Sequence, residues 1–252
     1  MRLHLNTLYI TTQGAYVSRK HQTLQVKVDR QVKLTVPLHH LDGIICFGRV
    51  HVSPAVLACC SQCGLSISFL SENGRYHARV EPPAGGNVLL RREQYRLADC
   101  AQRCLWLARP IVAAKIQNAR ALLLRAGRET DAPEKAQRLK NAARHMASVL
   151  DSLPKADSLD AARGIEGESA RTYFHRFNDM IRQQAEHFRF DRRHRRPPKD
   201  PINAMLSFLY TLLLHDCSSA LQAVGLDPAV GYLHADRPGR PSLALDLMEP
   251  FR

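Results

Sequence analysis

Four side chains have the types and spacing for metal-assisted chemistry. His234 ends the run Gly231-Tyr232-Leu233-His234, and Asp246 and Glu249 follow within the stretch 231–252. Residues three apart share a helix face, so these two carboxylates are expected to project the same way from one short helix. A third acid, Glu166, lies far upstream in Arg163-Gly164-Ile165-Glu166-Gly167. A histidine and carboxylates gathered from distant segments suit Mn2+ or Mg2+ better than a thiolate-seeking metal. Leu243, Leu245, Leu247 and Met248 around Asp246 and Glu249 argue for a largely buried helix, where an acid needs a cation or a hydrogen bond. A solvated face is the alternative. Around Glu166, two glycines in one helical turn cost about 1 kcal/mol each relative to alanine. Either a backbone or ligand packs closely there, or the segment is a helix-packing notch with a solvent-facing glutamate.

The charge balance names a partner class. Lys and Arg number 36 against 23 Asp and Glu, a formal charge of +13, which makes a polyanion the first partner to consider. The densest run is residues 189–199, with six Lys and Arg against one acid. Its prolines disfavour helix. As a loop or arm it would place Arg192, Arg193, Arg195 and Arg196 on phosphate backbone, with Arg237 and Arg240 expected to join them. A flexible solvated loop is the plain alternative.

Seven cysteines form no even framework, no secretory segment opens the chain, and no apolar run approaches the roughly 20 residues that span a bilayer. The expectation is a cytoplasmic protein with free thiols and no membrane partner. Cys60-x-x-Cys63 beside Cys59, and the pair Cys100 and Cys104, raise zinc or redox chemistry. Their irregular spacing and apolar neighbours assign them to packing.

The elements that must position these groups divide at residues 82–87. Before that linker the period is two: Leu24, Val26 and Val28 alternate with polar residues, as do Val32, Leu34 and Val36. A strand over 3–10, a tight hairpin at Asp29-Arg30, a buried strand over 41–47, a helix opened by Ser53-Pro54 and closed by Gly64, and a hairpin at Asn73-Gly74 follow from local chemistry. After the linker helical spacing takes over: 88–109, a break or kink at Pro110, 110–126, 132–150, 159–187, an apolar helix over 202–224 opened by Asp200-Pro201, a helical turn from Asp227-Pro228 delivering His234, and a last helix capped by Ser242. The fold class is α+β. A β-rich, sandwich-like domain over 1–81 precedes a helical catalytic domain over 88–252.

Three blocks in order carry a resemblance over the whole chain. They are Arg163-Gly164-Ile165-Glu166-Gly167; Arg195-Arg196-Pro197-Pro198 through Asp200-Pro201-Ile202-Asn203-Ala204-Met205-Leu206-Ser207-Phe208; and His234 with Asp236-Arg237 and Gly239-Arg240, continued by Ser242-Leu243 and Asp246-Leu247-Met248-Glu249-Pro250-Phe251-Arg252. The chain resembles the CRISPR-associated spacer-acquisition integrases, most closely the form found with subtype I-C systems. That resemblance implies an N-terminal β-domain that dimerises and a helical catalytic domain. It implies a metal held by Glu166, His234 and Glu249, with Asp246 beside them completing the catalytic set. Asn203 would lie near the site without ligating. Implied partners are double-stranded DNA (spacer precursor and CRISPR repeat), a second copy of the chain, and the small second protein of the adaptation module. Family members continue past Glu-Pro-Phe-Arg with further helices, so the helical domain reads as shortened at its C-terminus.

The implied reaction is metal-assisted phosphodiester transfer inserting DNA fragments into the repeat array. A metal-dependent nuclease without an integration role and a non-catalytic DNA-binding scaffold are the rival readings.

Overall fold

The computed structural model describes residues 2–4, 6–80, 87–194 and 197–252. The proposed linker falls outside these residues except for Asn87, as do Arg195 and Arg196. The described chain forms two compact units, one of residues 1–87 with 219–226, the other of residues 88–218 with 227–252.

The first unit holds two sheets. Strands β1 (Arg2–His4), β2 (Thr7–Ile10), β6 (Gly43–Phe47), β8 (Ser66–Leu70) and β9 (Tyr76–Val80) lie in that order in one; β5 (Gln31–Pro37), β4 (Thr23–Val28), β3 (Tyr16–Lys20) and β7 (His51–Val52) form the other. Leu8, Ile10, Ile44, Cys46 and Ile67 from the first sheet share one core with Val17, Leu24, Val26 and Val36 from the second. The alternation explains this: in β4, Leu24 and Val26 are buried while Gln25 and Lys27 are half-exposed. β6 is buried at every residue because it runs parallel between β2 and β8. Asp29 and Arg30 both have positive φ, 50° and 64°, the twist a two-residue hairpin between β4 and β5 needs. One expectation is corrected here. The expected single strand is two antiparallel strands, Arg2–His4 and Thr7–Ile10, with Asn6 between them at φ 62°. Helix α1 (Pro54–Cys63) ends at Gly64 in the left-handed region.

The second unit is helical. α2 (Val88–Ala98) precedes α3 (Ala101–Glu129), which runs unbroken through Pro110. The break falls at Asp99-Cys100 instead. Pro110 and Trp106 are both exposed, so the carbonyl that loses its helical partner faces solvent. The opposite face of α3 carries Leu105, Ala108, Val112, Ile116, Ala119 and Leu123, all buried. They pack with Leu139, Ala142, Ala143 and Met146 of α4 (Pro133–Ser152) and with Ala162 of α5 (Leu159–His175). Ser158 caps α5 by accepting from the Ala161 N–H.

α5 stops at His175, well short of the expected 187; a single turn, α6 (Phe177–Met180), follows. Burial of Phe190 ends the helix. Asn178 accepts from the Phe190 N–H at 2.8 Å and donates to its carbonyl at 2.6 Å. The Phe190 ring lies against Phe174 and Phe177. This folds 181–190 back instead of extending it.

α7 (Pro201–Ala223) begins as expected, with Asp200 accepting from the Asn203 N–H at 2.8 Å. Its 23 residues are long and apolar enough to cross a membrane by length and composition. The expectation that no segment approaches that length is therefore corrected. No helix forms over 227–234. Last come α8 (Ser242–Met248) and a 3-10 turn, Glu249–Phe251.

Candidate metal-binding active site

The second unit gathers the chemistry-bearing residues around one cavity of about 210 Å³. Glu166 and Ser169 reach it from α5, Lys115 from α3, His234 from the loop before α8, Glu249 and Arg252 from the terminal turn, and Arg193 and Tyr210 complete the wall.

Arg163, one turn before Glu166 on α5, donates through Nε to the Leu233 carbonyl at 2.8 Å. That bond fastens the loop of His234 to the helix of Glu166. Asp246, fully buried, accepts from the backbone N–H groups of Tyr232 (2.6 Å), Leu233 (2.9 Å) and His234 (2.9 Å). It also lies 2.7 Å from His234 Nδ1. An ionised carboxylate only accepts, so the proton of that bond belongs on Nδ1. With its proton there, Nδ1 is tied to Asp246 and Nε2 is the nitrogen turned to the cavity, the orientation that suits an imidazole ligand. Nε2 faces Glu249 Oε1 at 3.8 Å.

Asp246 and Glu249 do not act side by side from one helix. α8 ends at Met248, and Glu249 opens the tighter turn. Asp246 is committed to the His234 loop, whereas Glu249 enters the cavity. Glu249 is 2% exposed, and charged groups bond both of its oxygens: Lys115 Nζ on Oε2 and Arg252 Nη1 on Oε1. Lys115 also donates to Glu166 Oε1. Asn118, one turn along α3, donates to the Pro250 carbonyl at 2.8 Å and fixes the turn to that helix.

The donor set fits a hard divalent cation. Glu166 and Glu249 already converge on a single positive charge, the Lys115 ammonium. An oriented imidazole stands beside them, and the Ser169 hydroxyl, 3% exposed, has no partner. Among the described residues no three His, Cys, Asp or Glu side chains already close on one point; the Lys115 ammonium contacts both glutamates. The cysteines build no such site: Cys59 and Cys63 are in contact at 3.8 Å, and all seven thiols are free.

The arginines divide by environment. Arg192 and Arg237 are exposed. Arg193 turns inward, donating to Asn203 Oδ1 at 2.7 Å and lying 5.4 Å from the Tyr210 ring centre, with Arg252 4.9 Å from that ring centre. Buried Asn203 also bonds the Arg192 carbonyl and the His194 N–H, so it shapes the basic segment. Arg240 bonds the Ala235 carbonyl and Ser242 Oγ, bracing the His234 loop. Tyr173, on the cavity wall, has its hydroxyl pushed up to about 12 by burial and then by Tyr210, so it stays neutral.

Sequence reasoning overlooked Lys115, Arg252 and Ser169, and gave Arg163 no task. Lys115 carried one signal: a lone cation in the apolar run Ile111-Val112-Ala113-Ala114-Lys115-Ile116.

Two β-sheets followed by a helical region with an acid-and-imidazole cavity define an α+β protein with a candidate metal-binding site. The family model described as CRISPR associated protein Cas1 matches residues 8–252, and the chain belongs to that family. It is 50% identical over 254 residues to the CRISPR-associated endonuclease Cas1 1 of Chlorobaculum tepidum, covering 100% of this chain and 74% of that protein. The fold matches a CAS1 protein from Thermotoga maritima with TM-score 0.79 at 26% identity, over 98% of this chain and 74% of that one. It also matches a casposase bound to integration product, with TM-score 0.77 at 25% identity, over 98% and 69%.

Proposed function

We propose that this Cas1-family endonuclease cuts and rejoins DNA during spacer acquisition, using Mn2+ or Mg2+ held by Glu166, Glu249 and His234. The family is generally metal-dependent. The observation that carries the reading is the convergence of Glu166 and Glu249 on one positive charge beside an imidazole oriented by Asp246. The likeness to a casposase bound to integration product favours joining over hydrolysis alone.

When bound, such a cation polarises the scissile phosphate and stabilises negative charge on the entering and departing oxygens. The chain's own groups do the rest. Glu166 and Glu249 set the position at which a phosphate is engaged, and Asp246 holds the His234 ring in one tautomer. Arg193 and Arg252 present guanidinium groups to phosphate oxygens along the wall, and the Ser169 hydroxyl offers a donor. A fragment's 3′ hydroxyl oxygen attacks a repeat phosphorus. One P–O bond forms and one breaks; the attacking hydroxyl gives up its proton and the departing 3′ oxygen takes one up. Arg192 and Arg237, with Arg195, Arg196 and Arg240, are assigned to the DNA path.

We assign the subtype I-C form on the three sequence blocks, dimerisation to residues 1–81, a complex with the small second adaptation protein, and action on double-stranded DNA in the cytoplasm. Tyr210 lines the cavity from α7, which supports reading that helix as part of the site rather than as a membrane span.

The test supplies DNA with free 3′ ends, a repeat-bearing plasmid, the second adaptation protein and Mn2+. Joined products are expected from the wild type and none from Glu166→Gln or Glu249→Gln, with DNA binding retained. Cut but unjoined plasmid would support the nuclease alone. Joining by Glu249→Gln at the wild-type rate would remove the site assignment.

A further inference from the structure

Lys115 has no part in the proposed reaction, yet it is the positive charge on which both glutamates converge. Its ammonium bonds Glu166 Oε1 and Glu249 Oε2 at once, and its side chain is only 13% exposed. Two carboxylates converging on one cavity repel each other unless a positive charge lies between them. Lys115 supplies that charge from the chain itself. We propose that Lys115 is a tethered counter-ion that occupies the metal position until a divalent cation displaces it. This rests on the metal-site reading above.

Three features support displacement over coexistence. The ammonium and a divalent ion would contact the same two glutamate oxygens, and like charges cannot share that space. Lysine is a compact charge on a flexible four-carbon stem, so it can swing away without moving α3. Asn118 bonds the Pro250 carbonyl independently, so the turn bearing Glu249 stays attached to α3 when the lysine leaves. Arg252 and His234, the other groups facing Glu249, act from Oε1 and leave the Oε2 side to Lys115. Lys115 is thus a positioning residue. It keeps the glutamates convergent before loading and raises the metal concentration needed to load them.

The test titrates Mn2+ into the whole chain by calorimetry, with Glu249→Gln as control. Lys115→Met is expected to tighten Mn2+ binding by about tenfold or more, whereas Lys115→Arg stays close to wild type. An unchanged or weaker affinity in Lys115→Met overturns displacement while leaving the metal site standing. No Glu249-dependent binding in any variant removes the site reading and this inference together. A second measurement needs no substitution: acylation of Lys115 by acetic anhydride, read by peptide mass spectrometry with and without Mn2+. A severalfold rise with Mn2+ supports release of the amine, and an unchanged or slower rate overturns it.

Discussion

Asp246 and His234 form one rigid unit, the carboxylate of the first bonding both the ring Nδ1 and the backbone N–H of the second, at 2.7 and 2.9 Å. Asp246 also accepts from the N–H groups of Tyr232 and Leu233. It therefore builds the loop as well as orienting the ring. Asp246→Ala would leave three backbone donors and an imidazole without their acceptor. A loss of about 3 kcal/mol is expected, seen as a lower midpoint in urea unfolding. DNA joining should vanish with it. A variant that melts like wild type would show that the loop is held by other contacts.

Glycines at two places in the site have opposite expected effects. A Cβ at Gly231 would lie 2.7 Å from Ser242 Cβ and 2.8 Å from the His234 carbonyl oxygen. Gly231→Ala must push the His234 loop out of place and should cost both stability and joining. A Cβ at Gly164 or Gly167 meets nothing within 4 Å. Either alanine substitution should raise stability by up to about 1 kcal/mol. If a DNA strand approaches α5 there, activity falls while the melting temperature rises. Thermal melts beside a joining assay separate the two effects.

Asp179 adds pH dependence to the second unit. The Arg138 guanidinium bonds both carboxylate oxygens, at 2.8 and 3.2 Å, and with Arg176 holds the carboxyl below its ordinary range. A depressed folded pKa means that stability is present above the unfolded value, about 3.9, and is lost as pH falls through the folded value. Arg138 is partly exposed, so water screens the pair and Arg138→Ala should lower stability only modestly at pH 7. The difference from wild type should shrink below about pH 4. Denaturant titrations at pH 7 and pH 3 check this.

The thiols should react in order of burial. Burial pushes Cys46 and Cys60 up to about 12 and Cys217 up to about 11, and the thiolate is the reactive form. Cys63 is exposed. Iodoacetamide at neutral pH should label Cys63 first and leave Cys46, Cys60 and Cys217 intact until the protein unfolds, as peptide mass spectrometry would show. Early labelling of Cys60 would mean that α1 opens locally.

Local chemistry made much of the fold legible. The alternation of Leu24 and Val26 with Gln25 and Lys27, the Asp29-Arg30 hairpin, the Gly64 helix end and the Asp200 cap each depend on a few neighbouring residues, so the chain carries them wherever it folds. Pro110 misled because a proline breaks a helix only when its lost hydrogen bond has no other outlet. At an exposed position of α3, water provides one. The expected helix to residue 187 failed because burial of Phe190 outweighs helical propensity over 181–190, and propensity says nothing of a ring waiting across the loop.

For the site, the sequence by itself determined the inventory: acids at 166, 246 and 249, an imidazole at 234, and an excess of positive charge suited to DNA. Residue types and short spacings express those properties directly. Only the tertiary structure decided the division of labour. Asp246 turns to the His234 loop because three unpaired amides lie within its reach, and Glu249 turns to the cavity because α8 tightens at Met248. Lys115 joins Glu249 across 134 residues of sequence. No local pattern encodes a contact that long, because it is set by the packing of α3 against the terminal turn.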